Sequence, residues 1–314
     1  MADTVLTELT ASNLFDLTGV VAVVTGGGTG IGLMMSSTLV ANGATVYIIG
    51  PGQEDLDKIC NIYNDQCERL NKPGRMYGIE GDIRQKSEAV RLAGEVAKKE
   101  QHVTVLFNNA GVHSATCPMP PIASAVEYRN KVFDTVTEDA FDYNLQTNAI
   151  GPYWMTFAFL PLLEKWKGSP LGGRFAPQIV MTSSMNGWTK DPATGGFSFP
   201  YLMSKSAIGH ATSSLAHQLL PLGIRVNGIA PGMFATRMTA GPDATDATGA
   251  SYFPPDKAHD FDVPVTMRGD HGPVAYGTTK DMGALVLFLV ANWFVDGETV
   301  LIDGGTLLKH PSSY

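Results

Sequence analysis

The apolar run Gly19-Val-Val-Ala-Val-Val24 leads directly into Thr25-Gly-Gly-Gly-Thr-Gly-Ile-Gly32, and an apolar segment of helical period, 33–41, follows. No other feature restricts the fold as much. A strand made of consecutive apolar residues needs cover on both faces, the condition found inside a parallel sheet. A turn this rich in glycine lets backbone amides and a helix N-terminus come close to an anion, because no Cβ atoms hold it away. Strand, glycine turn and helix together describe the first unit of a nucleotide-binding α/β sheet, with a pyrophosphate expected over Gly26, Gly30 and Gly32. The spacing differs from the commoner G-x-G-x-x-G pattern, and taken alone such a turn is equally a tight structural connection.

The alternation continues to the end of the chain. Strands are expected at 20–25, 45–49, 75–80, 103–108, 178–182, 225–230 and 299–302, with helical segments between them; Val-Val-Ala-Val-Val and Thr-Val-Leu-Phe are among those that read as continuous apolar runs. Repeated strand–helix–strand order implies right-handed crossovers and ligand binding at the carboxyl ends of the strands. The glycine turn, Asn109, Ser184 and Pro231 all fall just after strands, so they converge on that edge. The expected fold is α/β, a doubly wound (Rossmann) seven-stranded parallel sheet in a single domain over 17–308. An N-terminal extension (1–16) and a C-terminal tail (309–314) flank it. At 314 residues and 44% hydrophobic content, one core of this size is reasonable. Three stretches, 112–137, 188–199 and 237–278, are longer than such a core needs and are expected as enlarged substrate loops. Within them 237–277 is expected as a lid, with Gly241, Gly249, Gly269 and Gly272 as hinges.

The pair Tyr201-Leu-Met-Ser-Lys205 lies in a stretch, 199–220, expected to be helical, which puts both side chains on one face. A phenol titrates near pH 10, and an adjacent ammonium group that favours the phenolate moves it toward proton transfer at neutral pH. Such pairs also occur by chance on surface helices; the weight comes from their company. Asn108-Asn-Ala-Gly111 follows one strand and Ser183-Ser184 follows another, while Asn148 sits within Leu145-Gln-Thr-Asn-Ala149. Pro231-Gly232 and Asp303-Gly-Gly305 complete the set.

In this order the segments resemble the short-chain dehydrogenase/reductase family, specifically its Tyr-x-x-x-Lys oxidoreductases, over about 17–307. The resemblance implies NAD(P)(H)-dependent hydride transfer between a nicotinamide and a carbonyl or secondary alcohol. It implies that Tyr201 protonates the developing alkoxide while Lys205 stabilises the phenolate and holds the nicotinamide ribose. Ser184 would hydrogen-bond the carbonyl oxygen, and Asn148 would hold a water linking Lys205 to solvent. Ser183 competes with Ser184, although the family pattern Ser-Ser-x-x-Gly favours the second serine. Asn148 has a structural alternative, satisfying backbone inside a helix. The implied cofactor contacts are Gly26, Thr29, Gly30, Ile31 and Gly32 at the pyrophosphate and Asp82 and Ile83 at the adenine. Asn109, Ala110 and Gly111 belong to the adenosine ribose side, and Pro231, Gly232 and Thr236 to the nicotinamide side. The stretch from Ser184 to Tyr201 is longer than the family's usual spacing, and the extra length sits in 188–196, a glycine-rich loop that can absorb it.

Cofactor choice turns on Gly50, which occupies the position of the carboxylate that binds the NAD ribose. The following Pro51 is not the arginine that grips a 2′-phosphate in many NADP-using relatives. With nothing to repel that phosphate, NADP(H) is favoured and NAD(H) stays open. The long loops contain Met119, Trp188, Phe197, Phe199, Met233, Phe234, Met238, Tyr252 and Phe253, expected to line the mouth for a bulky apolar substrate. His113 and His210 are expected to be structural or at the surface. A second class stays in play: a dehydrogenase-like scaffold reused for a non-redox task such as cyclisation, isomerisation or ligand binding.

A formal charge of −8, from 22 basic and 30 acidic residues, disfavours nucleic acid or an anionic membrane as partner. Cys60, Cys67 and Cys117 have no metal-ligand spacing and suit reduced thiols, so no metal site is expected. The N-terminus lacks the features of a signal peptide, and the apolar stretch 282–294 is too short to span a bilayer. A cytoplasmic enzyme acting on a small molecule is expected. Extra apolar faces at 138–167 and 200–221, carrying Phe141, Leu145, Trp154, Phe157 and Phe159, imply a homodimer or homotetramer.

Overall fold

A computed structural model describes residues 2–117, 124–170, 172–241, 243–254, 263–269 and 272–314. Its centre is a seven-stranded sheet in the order β3-β2-β1-β4-β5-β6-β9. The strands are β1 (Val21–Thr25), β2 (Thr45–Gly50), β3 (Arg75–Glu80), β4 (Val105–Asn108), β5 (Gln178–Thr182), β6 (Arg225–Pro231) and β9 (Thr299–Ile302). Every pairing in it is parallel. Strand order reverses between β1 and β4, and a crevice opens above the carboxyl ends at such a reversal.

Consecutive burial explains the apolar runs. All residues of β1, β5 and β6 are buried, because helices cover both faces. Alternate β1 residues enter opposite layers: Ala22 and Val24 pack with Met35, Leu39, Met282 and Val286, while Val21 and Val23 pack with Leu92, Val96, Met155 and Phe159. Helices Gly30–Ala41, Gln53–Arg69 and Thr279–Ala291 thus cover one face. Helices Lys86–Ala97, Gly151–Lys165 and Phe199–Leu219 cover the other.

Several features depart from expectation. The helical stretch at 138–167 is interrupted by a π-helical turn, Gln146–Ile150, between Glu138–Leu145 and Gly151–Lys165. Short helices, Ala2–Glu8 and Ala11–Leu14, occupy the N-terminal extension. In the expected lid, the described residues form helix Arg237–Ala240 and an antiparallel pair, β7 (Met267–Gly269) and β8 (Gly272–Val274). Residues 242, 255–262, 270 and 271 of that lid lie outside the described residues. Among the described residues no helix is long and apolar enough to cross a membrane.

The C-terminal tail is a strap. Lys190 N donates to Pro311 O at 2.6 Å, Ser313 N donates to Trp188 O at 2.9 Å, and Thr189 bridges Ser312. His310 Nδ1 lies 2.8 Å from Asp191 Oδ2, and the Trp188 and Tyr314 rings pack at 4.9 Å. Asp191 Oδ1 also accepts from Ala193 N at 3.0 Å, capping the short 3-10 turn Pro192–Gly195. The long 188–196 loop is therefore held from outside. His310, followed by the Ala193 amide, holds the Asp191 carboxyl below its ordinary range. Its contribution to stability is thus present above the unfolded carboxylate value and is lost as pH falls through the lower folded one. Deleting 310–314 is expected to expose Lys190 to trypsin, raising the cleavage rate after that residue by about tenfold as local opening becomes easier; an unchanged rate would contradict the strap.

Candidate active site

Three strand ends are stitched together at the crevice. Thr25 Oγ1 accepts from Asn109 N and Ala110 N, both at 3.0 Å, and Asn109 Nδ2 donates to Thr25 O at 3.0 Å. Thr182 Oγ1 donates to Asn109 Oδ1 at 3.4 Å, bringing in β5. The glycine turn closes tightly over this stitch: a Cβ at Gly32 would lie 2.1 Å from Gly26 O, so no other residue fits there. Gly26 has φ +64°, a left-handed backbone that glycine accepts at no steric cost. The helix Gly30–Ala41 thereby starts at the crevice with its first amides facing it.

A cavity of about 420 Å³ occupies the crevice. Gly26, Thr29, Gly30, Ile31 and Gly32 line one end, with Asn109, Ala110 and Gly111 beside them. Ser184, Tyr201 and Lys205 also line the cavity, with Pro231, Gly232 and Thr236, and the Thr236 side chain packs against Gly30 of the glycine turn. Gly50, Asp82, Ile83 and Asn148 do not line this cavity. Gly50 ends β2 and packs near Leu56, and Ile83 is buried in the core. Asp82 is held bidentately by Arg84, whose Nη2 lies 2.7 Å from Oδ2. That guanidinium holds the Asp82 carboxyl below its ordinary range.

Tyr201 and Lys205 are on the helix Phe199–Leu219 and are only 9% and 4% exposed. Lys205 Nζ donates to Thr182 O at 2.9 Å and lies 5.8 Å from the centroid of the Tyr201 ring. Ser184 lines the cavity beside Tyr201, and its Oγ accepts from Asn186 N at 3.1 Å and donates to Pro231 O at 3.4 Å. Ser183 Oγ is spent on Lys205 O at 2.8 Å. Of the two serines, Ser183 is therefore the one committed to the backbone of the Tyr201 helix, and Ser184 is the one that acts on the Tyr201 hydroxyl.

From sequence, the ammonium is expected to make the phenol more acidic. The structure reverses the direction. Burial pushes the Tyr201 hydroxyl above its ordinary value, and the bond from Ser184 pulls only partly against this. Burial also lowers Lys205 to about 8. Both groups have left water, and the lysine's donor goes to a backbone carbonyl, so desolvation outweighs their mutual attraction. Tyr201 accordingly keeps its proton at neutral pH and can surrender it only to a strongly basic oxygen.

Asn148, on the π-helical turn, makes a two-sided clamp. Its Oδ1 accepts from Val112 N at 2.8 Å, while Nδ2 donates to Val112 O at 2.8 Å and Ser204 Oγ at 2.9 Å. Its side chain thus matches the backbone-satisfying alternative. Asn148 Oδ1 and Lys205 Nζ would each lie 3.3 Å from a Cβ at Gly111, so the glycine lets both approach the chain there.

The mouth differs from expectation. Met233, Phe234 and Met238 line it, but Trp188, Phe197, Phe199, Tyr252 and Phe253 do not. Trp188 packs on Tyr314, and Phe253 meets Tyr276 edge-on at 4.8 Å. These aromatics are used in fastening loops to the body; Met119 lies outside the described residues. In their place stand His113, Met185, Asn186, Thr194, Gly195 and Gly196. His113 is the one a sequence signal could have found, since it follows Asn-Asn-Ala-Gly at the carboxyl end of a strand. His210, by contrast, is on the helix face away from the cavity lining, where its Nε2 meets Ser214 Oγ at 3.3 Å.

A family model described as short chain dehydrogenase matches residues 20–247. The chain belongs to the short-chain dehydrogenase/reductase family. Among curated members, it is 32% identical to the short-chain dehydrogenase/reductase VdtF of Byssochlamys spectabilis, over 98% of both chains. It is 31% identical to PhomF of Diaporthe leptostromiformis, over the full length of both. Among solved structures, the RhlG/NADP active-site complex of Pseudomonas aeruginosa matches at a TM-score of 0.69 and 25% identity, over 93% of this chain and 98% of that one. A short-chain alcohol dehydrogenase from Sinorhizobium meliloti matches at 0.70 and 25% identity, over 94% and 99%. The chain is thus an oxidoreductase of the short-chain dehydrogenase/reductase family.

The buried lysine has a measurable cost in this family member. A shift from the ordinary lysine value to about 8 corresponds to about 3 kcal/mol of destabilisation, of which the bond to Thr182 O returns about 1 kcal/mol. Lys205→Met is therefore expected to raise stability by about 2 kcal/mol at pH 7. The gap should be full below about pH 8 and close as pH climbs toward the ordinary lysine value, because the folded lysine then sheds its charge. Denaturant unfolding of both chains across that range checks it; a less stable Met variant at pH 7 would contradict the assignment.

Proposed function

We propose that this enzyme is an NADPH-dependent ketoreductase that transfers hydride between nicotinamide and the carbonyl or secondary alcohol of a bulky apolar substrate. The observation that carries this reading is one cavity whose wall brings Ser184, Tyr201 and Lys205 together with the glycine turn Gly26–Gly32. The cradle fits a dinucleotide: the Gly26–Gly32 approach leaves backbone rather than side chains facing a pyrophosphate, at a helix N-terminus. Gly50 offers no carboxylate against a 2′-phosphate, and the nearby Asp82 carboxylate is neutralised by Arg84. The RhlG neighbour, solved with NADP, supports the same choice.

Bound NADPH would supply the hydride. The chain's own residues do the rest. Ser184, released from its long bond to Pro231 O, donates to the substrate oxygen and points it at Tyr201. Tyr201, kept protonated by burial, gives its proton to that oxygen as negative charge develops. Lys205 would hold the ribose hydroxyls, and its ammonium would stabilise the phenolate left behind. Asn148 acts by fixing Val112 and Ser204 around the lysine, with a water completing the link to solvent. Gly26, Thr29, Gly30, Ile31 and Gly32 take the pyrophosphate, and Asn109, Ala110 and Gly111 the adenosine ribose side. By the family resemblance, Gly50, Asp82 and Ile83 would serve the adenine, and Pro231, Gly232 and Thr236 the nicotinamide. Met185, Met233 and Met238 provide the adaptable apolar wall that a bulky ketone requires.

Tyr153 and Phe157 on helix Gly151–Lys165 and Met203 on helix Phe199–Leu219 are large, apolar and exposed. They support a homodimer or homotetramer paired through those helices. Light scattering is expected to give a mass of two or four chains; a monomer at micromolar concentration contradicts it.

Fluorescence titration is expected to show NADPH bound more tightly than NADH, and a ketone panel with the preferred nucleotide to find turnover. Tyr201→Phe should lower kcat by at least about a hundredfold while leaving NADPH affinity unchanged. Silence with both nucleotides, or a Phe variant as active as the parent, would favour a non-redox use of the scaffold.

A further inference from the structure

His113 sits two positions beyond Gly111, where the chain leaves β4 and turns along the cavity wall. Its ring meets the Tyr201 ring edge-on, with centroids 4.5 Å apart and planes at 79°. Its Nε2 lies 3.1 Å from Gly195 O. A carbonyl oxygen can only accept, so Nε2 carries the proton and donates. One side chain therefore touches both the phenol and the long loop that precedes it.

The surrounding backbone reinforces this junction. Cys117 N donates to Gly196 O at 3.0 Å, and Ser198 Oγ donates to Ser114 O while accepting from Tyr201 N at 3.4 Å. Segment 113–117 is thus fastened along 195–198, the run that enters the Tyr201 helix. Those ties hold backbone to backbone, or cap the helix. Asn186 also holds the loop, through Thr194 Oγ1 at 2.7 Å, whereas the His113 side chain joins it to the phenol ring itself. The loop is the stretch that lengthens the Ser184–Tyr201 spacing, and the strap at 310–314 holds its outer side only. Its inner side, Gly195 with Thr194 and Gly196, is cavity wall.

We propose that His113 is a positioning residue with two separable parts: the imidazole ring fixes the Tyr201 phenol, and the Nε2–H fixes the Gly195 carbonyl and with it the substrate-side wall. The ring part acts on the chemical step, because a displaced phenol misses the oxygen it must protonate. The N–H part acts on substrate binding, because a loosened 194–196 wall must be ordered again by the ligand. This rests on the ketoreductase reading for its kinetic readout, and a second readout is independent of it.

Two variants divide the parts. His113→Phe keeps a ring against Tyr201 and removes the donor; KM for the ketone is expected to rise about tenfold with kcat within about twofold. His113→Gln keeps a donor at the reach of Nε2 and removes the ring; kcat is expected to fall about tenfold with KM little changed. NADPH affinity should be the same in both. Equal losses in both variants, or no loss in either, would overturn the proposal, since a merely structural histidine does not separate kcat from KM. The second readout is trypsin cleavage after Lys190. The Phe variant should be cut faster than the parent and the Gln variant at the parental rate. The reverse order, or identical rates in all three, overturns the N–H part whether or not any ketone is reduced. Absorbance titration of the phenolate, taken as the difference from Tyr201→Phe, should move in the Gln variant and not in the Phe variant. A titration unmoved in both overturns the ring part. If the parent binds no NADPH and turns over nothing, the ketoreductase reading fails while these last two measurements still decide on His113.

Discussion

The hydroxyl of Thr25 ties the ends of two strands whose order in the sheet reverses between them. It receives amides from the loop after β4 while the Asn109 side chain returns a bond to the Thr25 carbonyl. The strands themselves stay paired, but the connections that leave them part to opposite faces of the sheet, and the tie sets how far apart those connections start. With it, the glycine turn, the Asn-Asn-Ala-Gly segment and, through Thr182, the base of the serine pair move as one body. Everything chemical in the molecule is mounted on that junction. Its cost is conformational: the chain must approach itself so closely that Gly26 and Gly32 have no substitutes.

Burial is the second governing condition. Tyr201 and Lys205 sit side by side in a place nearly free of water, and each is pushed toward its neutral form. A neutral, well-shielded phenol is a reluctant acid, suited to a partner oxygen far more basic than itself. The lysine matters most after the proton has left, when a phenolate in the same dry site has lost its hydration and needs a counter-charge.

Much of this was legible in the chain. Continuous apolar runs mark the central strands β1, β5 and β6 within one or two residues, because a strand buried on both faces has no room for polar alternation. The motifs landed on one edge because parallel connections leave them no other. What could not be read was decided by long-range competition. Trp188, Phe253 and their neighbours look like a substrate wall in sequence, yet they pack against Tyr314 and Tyr276, partners remote in the chain. The π-helical turn at Gln146–Ile150 leaves no periodic mark over so short a span. The direction of the Tyr201 shift depends on how completely the helix is covered, which spacing alone does not encode. The partners of His113, Tyr201 and Gly195, are likewise far along the chain, so its contacts leave no mark near residue 113.

The strap formed by residues 310–314 puts the carboxyl end of this chain within one hydrogen-bonded layer of the loop that walls the cavity. Purification tags and fusion partners are often attached there by habit. Here an appended peptide would pull on Tyr314 and Trp188 and so on the cavity wall, whereas the exposed helix Ala2–Glu8 at the opposite terminus buries none of its residues and offers a neutral point of attachment.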